Sequence, residues 1–123
     1  MSHIVQIQTQ VRDPVAVAAA CQRLKLAAPQ METVKLFTTT ETGLVVRLNG
    51  WRYPVVCDLA SGSVKYDNFN GSWGEYAQIH KFLQSYAVEV TKLEARRKGH
   101  SVTEQPLADG SIKLTIQVAG GAA

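Results

Sequence analysis

The sequence predicts an α+β fold, an antiparallel sheet with two helices packed on one face, in the element order β-α-β-β-β-β-α-β-β. Three features carry that expectation. Asp13-Pro14 starts a helical pattern directly after an alternating strand pattern. A long helical pattern stops at Gly99. The segment from Val102 to Val118 alternates apolar and polar residues around Asp109-Gly110.

Val5, Ile7, Thr9 and Val11 alternate with Gln6, Gln8 and Gln10, which describes a half-buried strand with an uncharged amide face, ending at Arg12. Asp13 then offers a carboxylate to free N–H groups, and Pro14 fills the first helical position, where no donor is lost. Val17, Cys21 and Leu24, with Ala18 and Ala20 alongside, form the buried stripe of this first helix. Ala27-Ala28-Pro29 ends it at or shortly after Leu26, because the residue before a proline is biased out of helical geometry.

The middle of the chain is expected to be a meander. Val34, Leu36 and Phe37 make one strand and Leu44 to Leu48 a second. Asn49-Gly50 supplies the positive φ angles of a tight primed turn into a third strand, Tyr53 to Asp58. Ser61-Gly62 turns the chain into Val64 and Tyr66, with Lys65 on the opposite face. Pro54 lacks an N–H and is expected at an edge or a bulge. Asp67 to Trp73, DNFNGSW, is the segment that looks like a working loop. From there a helix runs to about Lys98, with Ile79, Leu83, Tyr86, Val90 and Leu93 as a narrow apolar seam and Gly99 as its positive-φ terminator.

With 123 residues and 46% apolar content, the chain fits one domain over residues 1–118, followed by a frayed tail at 119–123. No apolar run is long enough to span a bilayer, and the start MSHIVQIQTQ lacks the basic and apolar regions of a signal peptide, so a cytoplasmic location is expected. Cys21 and Cys57 belong to no metal-spaced set and are expected to be buried, reduced thiols. The net charge of +3 is too mild to indicate a polyanion partner by itself.

Its distribution is more informative. Lys92, Arg96, Arg97 and Lys98 fall together at the end of the second helix, offset there by Glu94. The plain reading is that cations in the last turn complement the helix dipole. The functional reading is a track for RNA or single-stranded DNA, with Tyr53 or Tyr66 stacking bases beside Arg47, Arg52 and Lys65.

No pattern in the chain specifies a reaction. His3, His80 and His100 share no metal-ligand spacing, though His3 and His100 meet if the first strand neighbours the terminal hairpin. Asp58, Asp67 and Glu75 would do acid and base work only if two of them faced each other across a cleft, and turn chemistry explains them more simply. No phosphate-loop, dinucleotide or esterase motif occurs. No catalytic residue, metal or cofactor is therefore expected.

Four stretches in order nonetheless have a family look: the opening MSH followed by an I-x-T-Q strand, NGWRYPVVCD from Asn49 to Asp58, KYDNFNGSWG, and the ending SYAVEVTKLEARRKGHSVTEQPLADGSIKLTIQ. Together they resemble the bacterial and plastid family called hypothetical chloroplast reading frame thirty-five, also known as domain of unknown function twelve fifty-seven. The resemblance spans nearly the whole chain and leans to the bacterial branch. It implies no activity and no catalytic residues, since the family has none established; the gene neighbourhoods of its members suit a subunit or adaptor.

The expected function is accordingly a small non-catalytic protein-interaction module, with RNA or single-stranded nucleic-acid binding as the alternative. Trp51, Tyr66, Phe69 and Trp73 are the candidate partner-binding residues, because tryptophan and tyrosine dominate interface hot spots. The bland reading of these aromatics is core filling. A homo-oligomer is expected through the seam of the second helix or an uncovered strand edge, and no membrane partner.

Overall fold

The structure, a computed structural model, describes residues 4–7 and 9–118. The expected frayed tail at 119–123 and the expected meeting of His3 with His100 lie outside the described residues. Among the described residues, seven strands and two α-helices follow in order: β1 (Val5–Ile7), α1 (Pro14–Arg23), β2 (Gln30–Lys35), β3 (Thr40–Val46), β4 (Val55–Asp58), β5 (Ser63–Tyr66), α2 (Tyr76–Arg97), β6 (Ser101–Pro106) and β7 (Ile112–Gln117), with a short 3-10 turn (Phe69–Gly71) between β5 and α2. The fold is α+β. Five strands form one antiparallel sheet in the order β1-β5-β4-β3-β2, and β6 and β7 form a separate two-stranded sheet.

Both helices cover one face of the large sheet. Its inward residues, Leu44, Val46, Val55, Cys57, Val64 and Tyr66, pack with Val17, Ala20 and Cys21 of α1 and with Ile79, Phe82 and Tyr86 of α2. Phe82 and Ile79 are fully buried, and each such side chain stabilises the fold by roughly 1.5–3 kcal/mol. On α1 the stripe includes Ala16 and leaves Ala18 exposed, because steps of 100° place residue 16 with 17, 20 and 21 and carry residue 18 away.

Asp13 caps α1 as expected: its Oδ1 accepts Val15 N at 2.9 Å and Ala16 N at 3.3 Å, with Pro14 at the first position. The helix ends at Arg23, earlier than the proline suggested. Lys25 takes a left-handed φ of 58°, and the N–H groups of Lys25 and Leu26 return to Gln22 O and Cys21 O at 3.1 and 2.8 Å. This is a Schellman closure with lysine where glycine is usual. α2 closes in the same way with Gly99 at φ 75°, the N–H of His100 reaching Ala95 O at 2.8 Å.

The strands are shorter than their patterns. By Thr9 the chain is outside β1, and Val11 N donates to Gly62 O at 3.1 Å, with the Thr9 hydroxyl on the same carbonyl. β2 lies earlier than Val34–Phe37, because Leu36 N donates to Thr39 O at 2.8 Å and closes a turn there. Asn49-Gly50 does not make a two-residue primed turn: only Gly50 has positive φ, 74°, and the chain needs residues 47–54 to pass from β3 to β4. Pro54 therefore falls just outside β4, where its missing N–H costs no ladder bond. At the last hairpin the loop spans Leu107 to Ser111, closed by Leu107 N on Ser111 O at 2.8 Å, with Gly110 alone at positive φ.

The β2–β3 hairpin bends over the sheet face turned away from the helices. Lys65 lies on that face, opposite to Val64 and Tyr66, and its Nζ meets the Glu41 carboxylate at 3.1 Å. Gly43 permits the bend: a Cβ there would sit 2.6 Å from Cys57 O and 2.9 Å from Val56 Cγ1. Leu36, Val45 and Val56 are buried, yet stand apart from the helix-side cluster.

The β6–β7 hairpin lies on α2. Gln84 Nε2 donates to Gly110 O at 3.0 Å, and Val88 and Ala95 are buried on that side of the helix. Glu104 of β6 anchors the contact, with Arg23 and Lys92 both at 2.7 Å. Among the described residues, no helix is long and apolar enough to cross a membrane.

Candidate functional site

Three segments distant in sequence converge on one aromatic surface: the β2–β3 turn with Phe37, the β3–β4 loop with Arg52 and Tyr53, and the loop after β5 with Phe69 and Trp73. Trp73 is the hub. Its ring lies 5.0 Å from Phe37, 5.5 Å from Tyr53 and 4.8 Å from Phe69, in edge or tilted geometries. The Arg52 guanidinium stands 5.1 Å above the Trp73 ring and 5.7 Å above Tyr53, a cation–π arrangement. Phe37 and Phe69 remain 44% and 39% exposed, so the cluster is a surface rather than part of the core.

The backbone beneath it is unusual. Phe69, Asn70 and Gly71 form a short 3-10-type turn with φ values of 44°, 52° and 94°. Glycine adopts such angles freely, whereas for a bulky residue like phenylalanine they are strained. The turn is imposed from below by Asp67 and Asn68, both fully buried. Asp67 Oδ1 accepts Phe69 N at 3.2 Å, and Asn68 O accepts the N–H groups of Gly71 and Trp73 at 3.0 and 2.9 Å. Asn68 Nδ2 donates to Gly74 O at 3.1 Å. The Arg52 N–H reaches Trp73 O at 2.8 Å and ties the second segment to the third.

The structure divides the four expected partner-binding residues. Phe69 and Trp73 belong to the exposed cluster. Trp51 and Tyr66 form a separate pair with centroids 5.3 Å apart, packed with the helix-side core. Tyr66 is 4% exposed and offers a partner no ring face, and its burial pushes its phenol pKa up. Trp51 is locked in place: Nε1 donates to Glu75 O at 3.0 Å, and a Cβ on Gly74 would lie 2.4 Å from the indole. Sequence reasoning missed Phe37 as a site residue, because it read the residue as part of a strand and FTTTET contains no turn former to mark the bend.

The basic helix end is not one face. Lys92 lies between Glu104 at 2.7 Å and Glu89 at 3.6 Å, Arg97 pairs with Asp13 at 3.4 Å, and Arg96 and Lys98 are exposed in the last turn. Arg47 is paired with Glu32 at 2.9 Å. Nor do the carboxylates converge. Asp58 serves its own turn, accepting Ala60 N at 3.1 Å, and its hydrogen bonds from Ser61 hold its pKa below the usual range. Asp67 lies beyond the other end of β5, and Glu75 precedes α2. Among the described residues, no group of three or more His, Cys, Asp or Glu could hold a metal ion.

No family model, no curated protein and no solved structure matches this chain. The likeness to the chloroplast reading-frame family rests on its quoted motifs alone.

Proposed function

We propose that this chain is a non-catalytic interaction module, a subunit or adaptor, that grips a partner protein through Phe37, Phe69 and Trp73. The observation that supports this most directly is the left-handed turn at Phe69. Strained backbone of this kind costs of order 1–3 kcal/mol and gathers at functional sites. Here it holds an aromatic ring outward on a surface hub. Aromatics with an adjacent arginine are the side chains that dominate protein interfaces.

The alternative, RNA or single-stranded nucleic-acid binding along Lys92, Arg96, Arg97 and Lys98, has less in its favour, since carboxylates already engage Lys92 and Arg97. One experiment separates the two. Tagged wild-type protein and the Phe37→Ala/Phe69→Ala variant are used for affinity capture from host lysate, with and without nuclease. The proposal expects a defined protein that survives nuclease and is lost with the variant at unchanged circular dichroism. Identical capture by both proteins overturns it. Capture abolished by nuclease transfers the function to the basic helix end.

A further inference from the structure

We infer that a second copy of this chain docks antiparallel on the outer side of α2, about a twofold axis passing beside Ala87. The inference is independent of the aromatic surface. Along α2, Tyr76, His80, Leu83, Ala87, Val90 and Glu94 recur at steps of four and three residues, a stripe that keeps one azimuth as a coiled-coil seam does. It is not the seam that faces the core. Tyr76 is 42% exposed, His80, Ala87 and Glu94 are exposed, and Leu83 and Val90 only partly reach the core cluster.

Beside the stripe runs an open apolar groove of about 300 Å³, with Leu83, Ala87 and Val90 on one wall and Thr9 to Val11 on the other. It continues into a more polar stretch beside Arg12, Asp13 and Glu94. The helix of 22 residues is about 33 Å long, enough for an extended contact. Ala87 stands at the middle of the stripe and is its smallest side chain, which lets two helix backbones approach closely there.

Charge selects the occupant and its direction. An antiparallel copy centred on Ala87 places each residue against the one equally far on the other side. His80, seven residues before Ala87, then meets Glu94, seven after; Tyr76, eleven before, meets Lys98, eleven after. Both pairings are favourable, an imidazole with a carboxylate and an ammonium with an aromatic ring, and the twofold makes each of them occur twice. A parallel copy would instead set Glu94 against Glu94 and Lys98 against Lys98. The stripe is thus complementary to its own reverse.

The test uses the full chain at micromolar concentration. Sedimentation is expected to give twice the monomer mass, and Ala87→Cys is expected to form a disulfide-linked dimer under mild oxidation, because residue 87 meets its own copy while Cys21 and Cys57 are buried. Glu94→Lys should weaken association by about tenfold, and adding His80→Glu should restore it. Trp73→Ala should leave the dimer intact. A monomer at every concentration overturns the proposal, as does a dimer that Ala87→Cys fails to link, that Trp73→Ala dissociates, or that the charge swap fails to restore.

Discussion

Tyr86 and Asp13, 73 residues apart in sequence, meet where the Asp13 N–H donates to the Tyr86 hydroxyl at 3.1 Å. The same oxygen accepts Arg12 N at 3.0 Å and donates to Gln10 O at 3.3 Å. One phenol on α2 thereby satisfies the backbone that leaves β1 and enters α1. Tyr86→Phe keeps the ring but leaves those N–H groups without an acceptor. Unfolding in urea should show a loss of about 1–3 kcal/mol with an unchanged slope; a loss under about 0.5 kcal/mol would mean that water replaces the hydroxyl.

Gly43 is a position where packing forbids a side chain. Gly43→Ala introduces a Cβ at 2.6 Å from Cys57 O and should destabilise by about 1–3 kcal/mol as β3 is pushed off β4. Equal thermal midpoints for the variant and the wild type would show that the β2–β3 hairpin can straighten without loss.

Glu104 should make hairpin docking sensitive to acid. Its carboxyl is held below its ordinary range first by the hydrogen bond from Lys92 and then by that from Arg23. A carboxylate with a lowered folded pKa stabilises fully above its ordinary value, about 4.3, and that contribution is lost as pH falls through the folded value. Protection of the β6 and β7 amides, measured against their intrinsic exchange rates at each pH, should be steady near neutrality and fall selectively below about pH 4. Glu104→Gln should cost about 1–2 kcal/mol at pH 7 and flatten this acid response, because Arg23 and Lys92 lose their shared partner. Uniform loss of protection across all elements would instead indicate global acid unfolding.

Both thiols are buried in the core between α1 and the sheet. Burial pushes Cys21 from 9.0 up to about 11 and Cys57 up to about 12, the latter aided by the charge of its neighbour. A thiol whose pKa is raised on folding stabilises below its ordinary value and withdraws that contribution as pH rises through the folded value. Stability should therefore decline above about pH 9, and native protein at pH 8 should resist iodoacetamide until denaturant is added. Rapid alkylation without denaturant would show that α1 opens freely.

Legibility differed from element to element for physical reasons. Asp13-Pro14 and Gly99 act through local backbone geometry and appear in the structure where they were read, whereas the expected seam of the second helix is only partly kept: Ile79 and Tyr86 are buried, Phe82 joins them, and Leu83, Val90 and Leu93 are half-buried. The ends of β1, α1 and β2 moved because tertiary partners compete with local preference. Gly62 captures Val11, a Schellman closure on Lys25 stops α1 before its proline, and burial of Leu36 turns the chain early. At the aromatic surface, the composition of DNFNGSW pointed to Phe69 and Trp73. Tyr53 stands next to Arg52 in sequence and the alternation with Lys65 already turned Tyr66 inward, whereas nothing in the sequence marked Phe37 as a member of the cluster.

The sequence by itself determined the α+β class, the antiparallel pairing and both helices, because each follows from periodicity and capping within a few neighbouring residues. Only the tertiary structure decided which aromatics are exposed, which cations are paired and which side of α2 stays open. Those depend on the bend at Gly43, the position of β1 and β2 as the sheet edges, and the hairpin docking through Glu104. Each brings together residues far apart in the chain, and the free energy that selects them comes from burial and charge pairing in the folded state rather than from local conformational preference.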